Sequence, residues 1–149
     1  MEKKMNNKGF SLVELIIVIA IMVILVAVLA PQYLRYVEKS RVSSDVQTTV
    51  ELINVMQVLA ADPDVNLDTS KDYYAEWKTD KVEISTALAT ELKANGMMDD
   101  DAMSNITYQS TAYKDAGVKI ELEYGSNKIW TIKTTGVDSS GRIPEKKEP

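Results

Sequence analysis

Residues 8–15 read Lys8-Gly9-Phe10-Ser11-Leu12-Val13-Glu14-Leu15, and the chain continues from Ile16 to Ala30 in Ile, Val, Leu, Ala and Met alone. Between Phe10 and Ala30 the polar residues are Ser11 and Glu14. At 1.5 Å per residue a helix over this stretch spans roughly 31 Å, the hydrocarbon thickness of a bilayer. No other stretch of the chain comes near it. Lys3, Lys4 and Lys8 precede it against a single Glu2, which predicts a cytoplasmic N-terminus and an exported C-terminal part.

The rest of the composition narrows the function. The chain has 149 residues, 17 basic and 22 acidic, and a net charge of −5. An acidic chain is a poor match to phosphate-neutralising nucleic-acid binding, so no direct nucleic-acid partner is expected. The absence of histidine removes a His general base and a Ser-His-Asp triad; the absence of cysteine removes disulfides, thiolate catalysis and Cys-zinc sites. No nucleophile–base pair and no Gly-rich phosphate loop stand out. The reading is therefore a non-enzyme with no cofactor and no catalytic residue.

Three accounts of the N-terminal stretch compete. A cleaved secretory signal needs a small-x-small site, and Val28-Leu29-Ala30 is followed at once by Pro31. A plain signal anchor explains the length and the lysines but leaves Glu14 without a reason. The third account is a resemblance. Lys8 to Leu15 closely resembles the processing motif of type IV prepilins and the related pseudopilins, and the likeness extends over about residues 3–36. It implies cleavage between Gly9 and Phe10, N-methylation of Phe10 by the same membrane peptidase, and Glu14 as the fifth mature residue. A carboxylate within a membrane helix costs roughly 2.5–3.5 kcal/mol on insertion scales, so Glu14 needs water at the interface or a partner. The resemblance supplies one: the Phe10 amine of a neighbouring subunit in a helical homopolymer.

Helical spacing resumes beyond Pro31, which we read as a kink rather than a stop. Val42, Val46, Val50, Ile53, Met56 and Ala60 form one stripe, widened by Leu52, Val55 and Leu59, while Asp45 falls on a polar side. Asp62-Pro63-Asp64 ends the pattern near Ala61. Tyr33 and Tyr36 read as interfacial aromatics, with Arg35, Lys39 and Arg41 against lipid headgroups.

Residues 62–82 read as an irregular acidic loop pinned by Tyr73, Tyr74 and Trp77. Its Asp62, Asp64, Asn66 and Asp68 fail the EF-hand pattern at Leu67 and Tyr73, and Asp138 gives only a vague calcium match, so no metal site is assigned. Ser85 caps a short helix over Thr86 to about Asn95, stopped by Gly96, and Asp99–Asp101 suit the cap of another turn. Strands are expected at Ile106–Tyr113, Val118–Tyr124 and Lys128–Lys133, forming a three-stranded antiparallel meander. Gly136 to Pro149 reads as a polar, mobile tail.

The predicted fold class is α+β: a long N-terminal helix, half membranous and half amphipathic, on a small antiparallel sheet, as in type IV pilins. The divisions are a cleaved leader 1–9, a transmembrane and filament-core helix 10–30, its amphipathic continuation 31–61, an αβ loop region 62–105, a meander 106–135 and a tail 136–149. The resemblance implies a pilus subunit for adhesion or twitching motility. It is first a single-pass membrane precursor and then part of an extracellular filament. The implied partners are its own copies, the prepilin peptidase/methyltransferase, a membrane assembly platform with its ATPase, minor pilins and membrane lipid. The cysteine-free head suits a Gram-positive source. The alternatives are a pseudopilin of a type II secretion or competence system, and a membrane-anchored extracellular binding domain that never polymerises.

Overall fold

The structure, a computed structural model, describes residues 9–78 and 81–144. The expected leader, apart from Gly9, and the last five residues of the tail lie outside this range. The chain divides into two compact units, Met1–Val37 and Glu38–Pro149.

Helix α1 runs Leu12–Ala61 and crosses from the first unit into the second, with Pro31 inside it. The described part of the first unit is the N-terminal segment and the first half of this helix. Every large apolar side chain there from Phe10 to Leu29 is exposed. A helix apolar on all sides is suited to lipid or to the middle of a helical bundle. Pro31 lacks the N–H that would reach the Ala27 carbonyl, yet the helix continues through it.

The second unit buries the other half of α1. Leu52, Ile53, Met56 and Leu59 are each at most 3% exposed. They join Tyr73, Ala75, Leu88, Leu92, Val118 and Ile120 in one core. The sheet has four antiparallel strands in the order β2-β1-β3-β4, with β1 at Tyr73–Lys78, β2 at Lys81–Ile84, β3 at Lys119–Tyr124 and β4 at Trp130–Thr135. Registers Tyr73↔Leu122, Ala75↔Ile120 and Leu122↔Ile132 put apolar residues on the core face. Registers Glu76↔Lys119 and Glu121↔Lys133 put a ladder of opposite charges on the outer face.

Three short helices complete the unit. Helix α2, Thr86–Ala94, has Ser85 as its N-cap and buries Leu88 and Leu92. Helix α3, Asp100–Ser104, is capped by Asp99. Helix α4, Thr111–Ala116, is capped by Ser110 and ends on Gly117, whose left-handed backbone (φ +60°) suits glycine. Gly136 (φ +79°) also has no room for a side chain: a Cβ there would lie 2.6 Å from the Ala116 carbonyl oxygen.

Four sequence expectations need correction. Residues 73–78 and 81–84 are strands, not loop. Tyr73, Ala75 and Trp77 are buried in alternation with more exposed neighbours, a two-residue period. Residues 106–113 do not form a strand. Ile106, Tyr108 and Ser110 alternate inward as expected, but the segment hands its amides to carboxylates of α1 and turns into α4. The last strand begins at Trp130 rather than Lys128, because the turn from Gly125 closes through Lys128, which has φ +63°. The tail packs through residue 143: Val137 is 5% exposed, and Ile143 rests against the core.

Candidate functional site: the N-terminal helix and its anchorage

Gly9 and Phe10 precede the first turn of α1, and Phe10 is 86% exposed. Glu14 turns back on its own helix start: its Oε2 accepts from the Ser11 N–H at 2.9 Å, while Ser11 Oγ accepts from the Val13 N–H at 3.3 Å. Glu14 makes its half of a capping box and Ser11 caps the second helical amide, and together they satisfy donors that a helix N-terminus leaves open. The Ser-x-x-Glu spacing that announces it was present in the sequence and went unread. In a single chain Glu14 is thus held by a backbone donor beside the Gly9–Phe10 bond, four residues from Phe10.

The span itself meets the length and composition for crossing a bilayer, and none of its most apolar window is buried within the protein. Tyr33 and Tyr36 lie just past it, both exposed.

The second unit holds its half of α1 through a polar cluster that the sequence reading missed. Asp45 is 1% exposed. Its Oδ1 accepts from the Gln109 N–H at 2.9 Å, and its Oδ2 from the Ser110 N–H at 2.8 Å and from the Ser110 hydroxyl. Two turns earlier on the same helix face, Glu38 Oε1 accepts from the Thr111 N–H at 2.9 Å. Thr49, fully buried, shares a short hydrogen bond with the Tyr108 hydroxyl, and the Tyr113 hydroxyl donates to the Gly141 carbonyl. Trp77 stacks on Tyr108 at 4.3 Å, and Tyr108 meets Tyr113 edge-on at 4.8 Å. Burial raises both tyrosine hydroxyls above their ordinary pKa. The signal for this cluster was the 45–49–52–56–59 spacing, in which the first two positions are polar.

The acidic turns are closed on themselves. Asp62 accepts from the Asp64 N–H, Asp68 from the Ser70 amide and hydroxyl, and Asp138 from the Ser140 amide and hydroxyl and the Arg142 amide. These bonds hold the Asp68 and Asp138 carboxyls below the usual range. Among the described residues no three carboxylates converge to hold a metal.

Residues 4–30 match a protein-family model described as the prokaryotic N-terminal methylation motif. Over 131 residues the chain is 32% identical to a type IV major fimbrial protein FimA of Dichelobacter nodosus, covering 87% of this chain and 79% of the relative. This chain belongs to the type IV pilin family. A second FimA of the same organism is 39% identical to the pilin over 59 residues, 40% of this chain and 38% of the relative. No solved structure matches it. The pilin has the α+β fold of its family, a long helix on a four-stranded antiparallel sheet. As a family member it is a structural subunit of a pilus, anchored in the membrane as a precursor and displayed at the surface after assembly.

Proposed function

We propose that the pilin enters the membrane through residues 10–30, is cut between Gly9 and Phe10, is methylated on the Phe10 amine and polymerises through its N-terminal helix. The observation that carries this reading is one carboxylate, Glu14, set in an otherwise apolar stretch just behind a Gly-Phe bond. Cleavage creates an α-amine with an ordinary pKa near 8, cationic at neutral pH. When Phe10 becomes the N-terminus, Glu14 exchanges its bond to Ser11 for the amine of a neighbouring subunit. That exchange pairs two charges in an apolar bundle and sets the axial step. Pro31 serves as a kink, freeing one carbonyl where the helix leaves the core-forming half.

In this reading residues 1–9 are the leader, 10–30 the filament core and 31–61 the support of the head. The partners are other copies, a prepilin peptidase/methyltransferase, an assembly platform with its ATPase, and minor pilins. The likeness to a major fimbrial protein over most of the chain favours a main pilus subunit over a pseudopilin or a tethered binding domain. A structural subunit needs no catalytic residue. Adhesion or twitching motility, and a Gram-positive source, rest on the family resemblance and the cysteine-free head.

Glu14→Ala tests the assembly role. The variant is expected to be processed and membrane-bound but to yield no filaments. Filaments in wild-type amount would end the proposal for Glu14.

A further inference from the structure

Helix α1 starts at Leu12, and Gly9, Phe10 and Ser11 lie outside it. The bond between Gly9 and Phe10 therefore sits in irregular backbone, just ahead of a 50-residue helix. The glycine does not force that start. Glycine is an acceptable N-cap, about as good as threonine. A helix capped at Gly9 would begin at Phe10 instead of Leu12. Its opening bond would run from the Val13 N–H to the Gly9 carbonyl, since a helical amide donates one turn back.

In the structure that N–H is already taken. Val13 donates it to Ser11 Oγ at 3.3 Å, and the helix opens with the Leu15 N–H on the Ser11 carbonyl at 3.2 Å. The Ser11 N–H, which the longer helix would leave without an acceptor, is held by Glu14 Oε2 at 2.9 Å. Among the described residues nothing bonds the Gly9 carbonyl. Hydrolysis adds one water across the Gly9–Phe10 amide, leaving a carboxylate on Gly9 and an amine on Phe10. The atom attacked is the Gly9 carbonyl carbon. Inside a helix that carbonyl is bonded to an amide and screened by the next turn; in irregular backbone it is open.

We propose that Ser11 is a positioning residue for processing: its hydroxyl takes the Val13 N–H from the Gly9 carbonyl and so starts the helix after the scissile bond, not across it. The proposal rests on cleavage between Gly9 and Phe10 and names the residue that sets the backbone there.

The test uses the full-length precursor in nanodiscs with a purified prepilin peptidase, and follows the mature chain by mass spectrometry. Wild type is compared with Ser11→Ala, which removes the cap, and with Ser11→Asn, which replaces it by an equally good one. The Ala variant lets Gly9 take over the cap, and the extended helix is not a substrate. Its KM is expected to rise about threefold with kcat kept, while the Asn variant stays near wild type. The chemical shift of the Gly9 carbonyl carbon, read on the precursor alone, is expected to move toward helical values in the Ala variant only. Equal kinetics in all three chains overturn the proposal. So does equal slowing by Ala and Asn, the sign of a peptidase that reads the serine itself, and so does an unmoved shift in the Ala variant. A wild-type precursor that is cut elsewhere, or not at all, overturns the Gly9–Phe10 reading first and the role of Ser11 with it.

Discussion

Asp45 is a buried carboxylate that ties α1 to the backbone at Gln109 and Ser110. A buried carboxylate is tolerated only when its oxygens are satisfied, and here two amides and a hydroxyl do so. Asp45→Ala leaves the Gln109 and Ser110 donors buried without an acceptor and is expected to cost about 3 kcal/mol. Asp45→Asn keeps one acceptor oxygen and should cost less. Chemical denaturation of the full chain in detergent reads both, and equal wild-type midpoints would remove the cluster from the account. Titration gives a second check. Glu121 is held low first by Lys119 and then by Lys133, so its contribution is present above about pH 4.5 and is lost as the pH falls through its lowered value. Tyr108 and Tyr113 are raised by burial, so theirs is present below about pH 10 and is lost as the pH rises beyond it. Stability measured against pH is expected to fall at both ends, with neither fall centred near neutrality.

At the scale of elements, α1 is one helix with two kinds of surface. In its second half Leu59 is fully enclosed while its neighbour Val58 is 57% exposed. Leu59→Ala is expected to cost about 2–5 kcal/mol, and Val58→Ala less than about 0.5 kcal/mol, in the same unfolding measurement. Comparable losses at the two sites would contradict the packing described. Helix α1, helix α2 with its Ser85 cap, and strand β3 were legible in the sequence because local pattern and tertiary packing agree there. Strand β1 was hidden by the acidic turn before it, although Tyr73, Ala75 and Trp77 carried the two-residue period. The 106–110 segment shows the opposite failure. Its alternation was genuine, but the partners of its amides are side chains 64 to 73 residues away, which no local pattern reveals. For the same reason the helix stripe was read through Val42 and Val46, while burial runs through Asp45 and Thr49.

At the scale of the molecule, the two units divide the work of an assembling subunit. The described part of the first offers exposed apolar surface; the second is a closed core that stands without disulfides. Exchange of lipid for neighbouring helices lets such a chain pass from membrane to filament with one covalent cut and one methylation. The candidate site, Gly9, Phe10 and Glu14, falls within one six-residue stretch, so its reading depends little on the fold. Its capping contact is signalled by the Ser11-x-x-Glu14 spacing. The most direct test is to shear filaments from cells that make the protein, pellet them and determine the N-terminal peptide by mass spectrometry. The account predicts a peptide beginning at N-methylated Phe10 in the filament fraction. A chain that still begins at Met1 and is found only in membranes would contradict it.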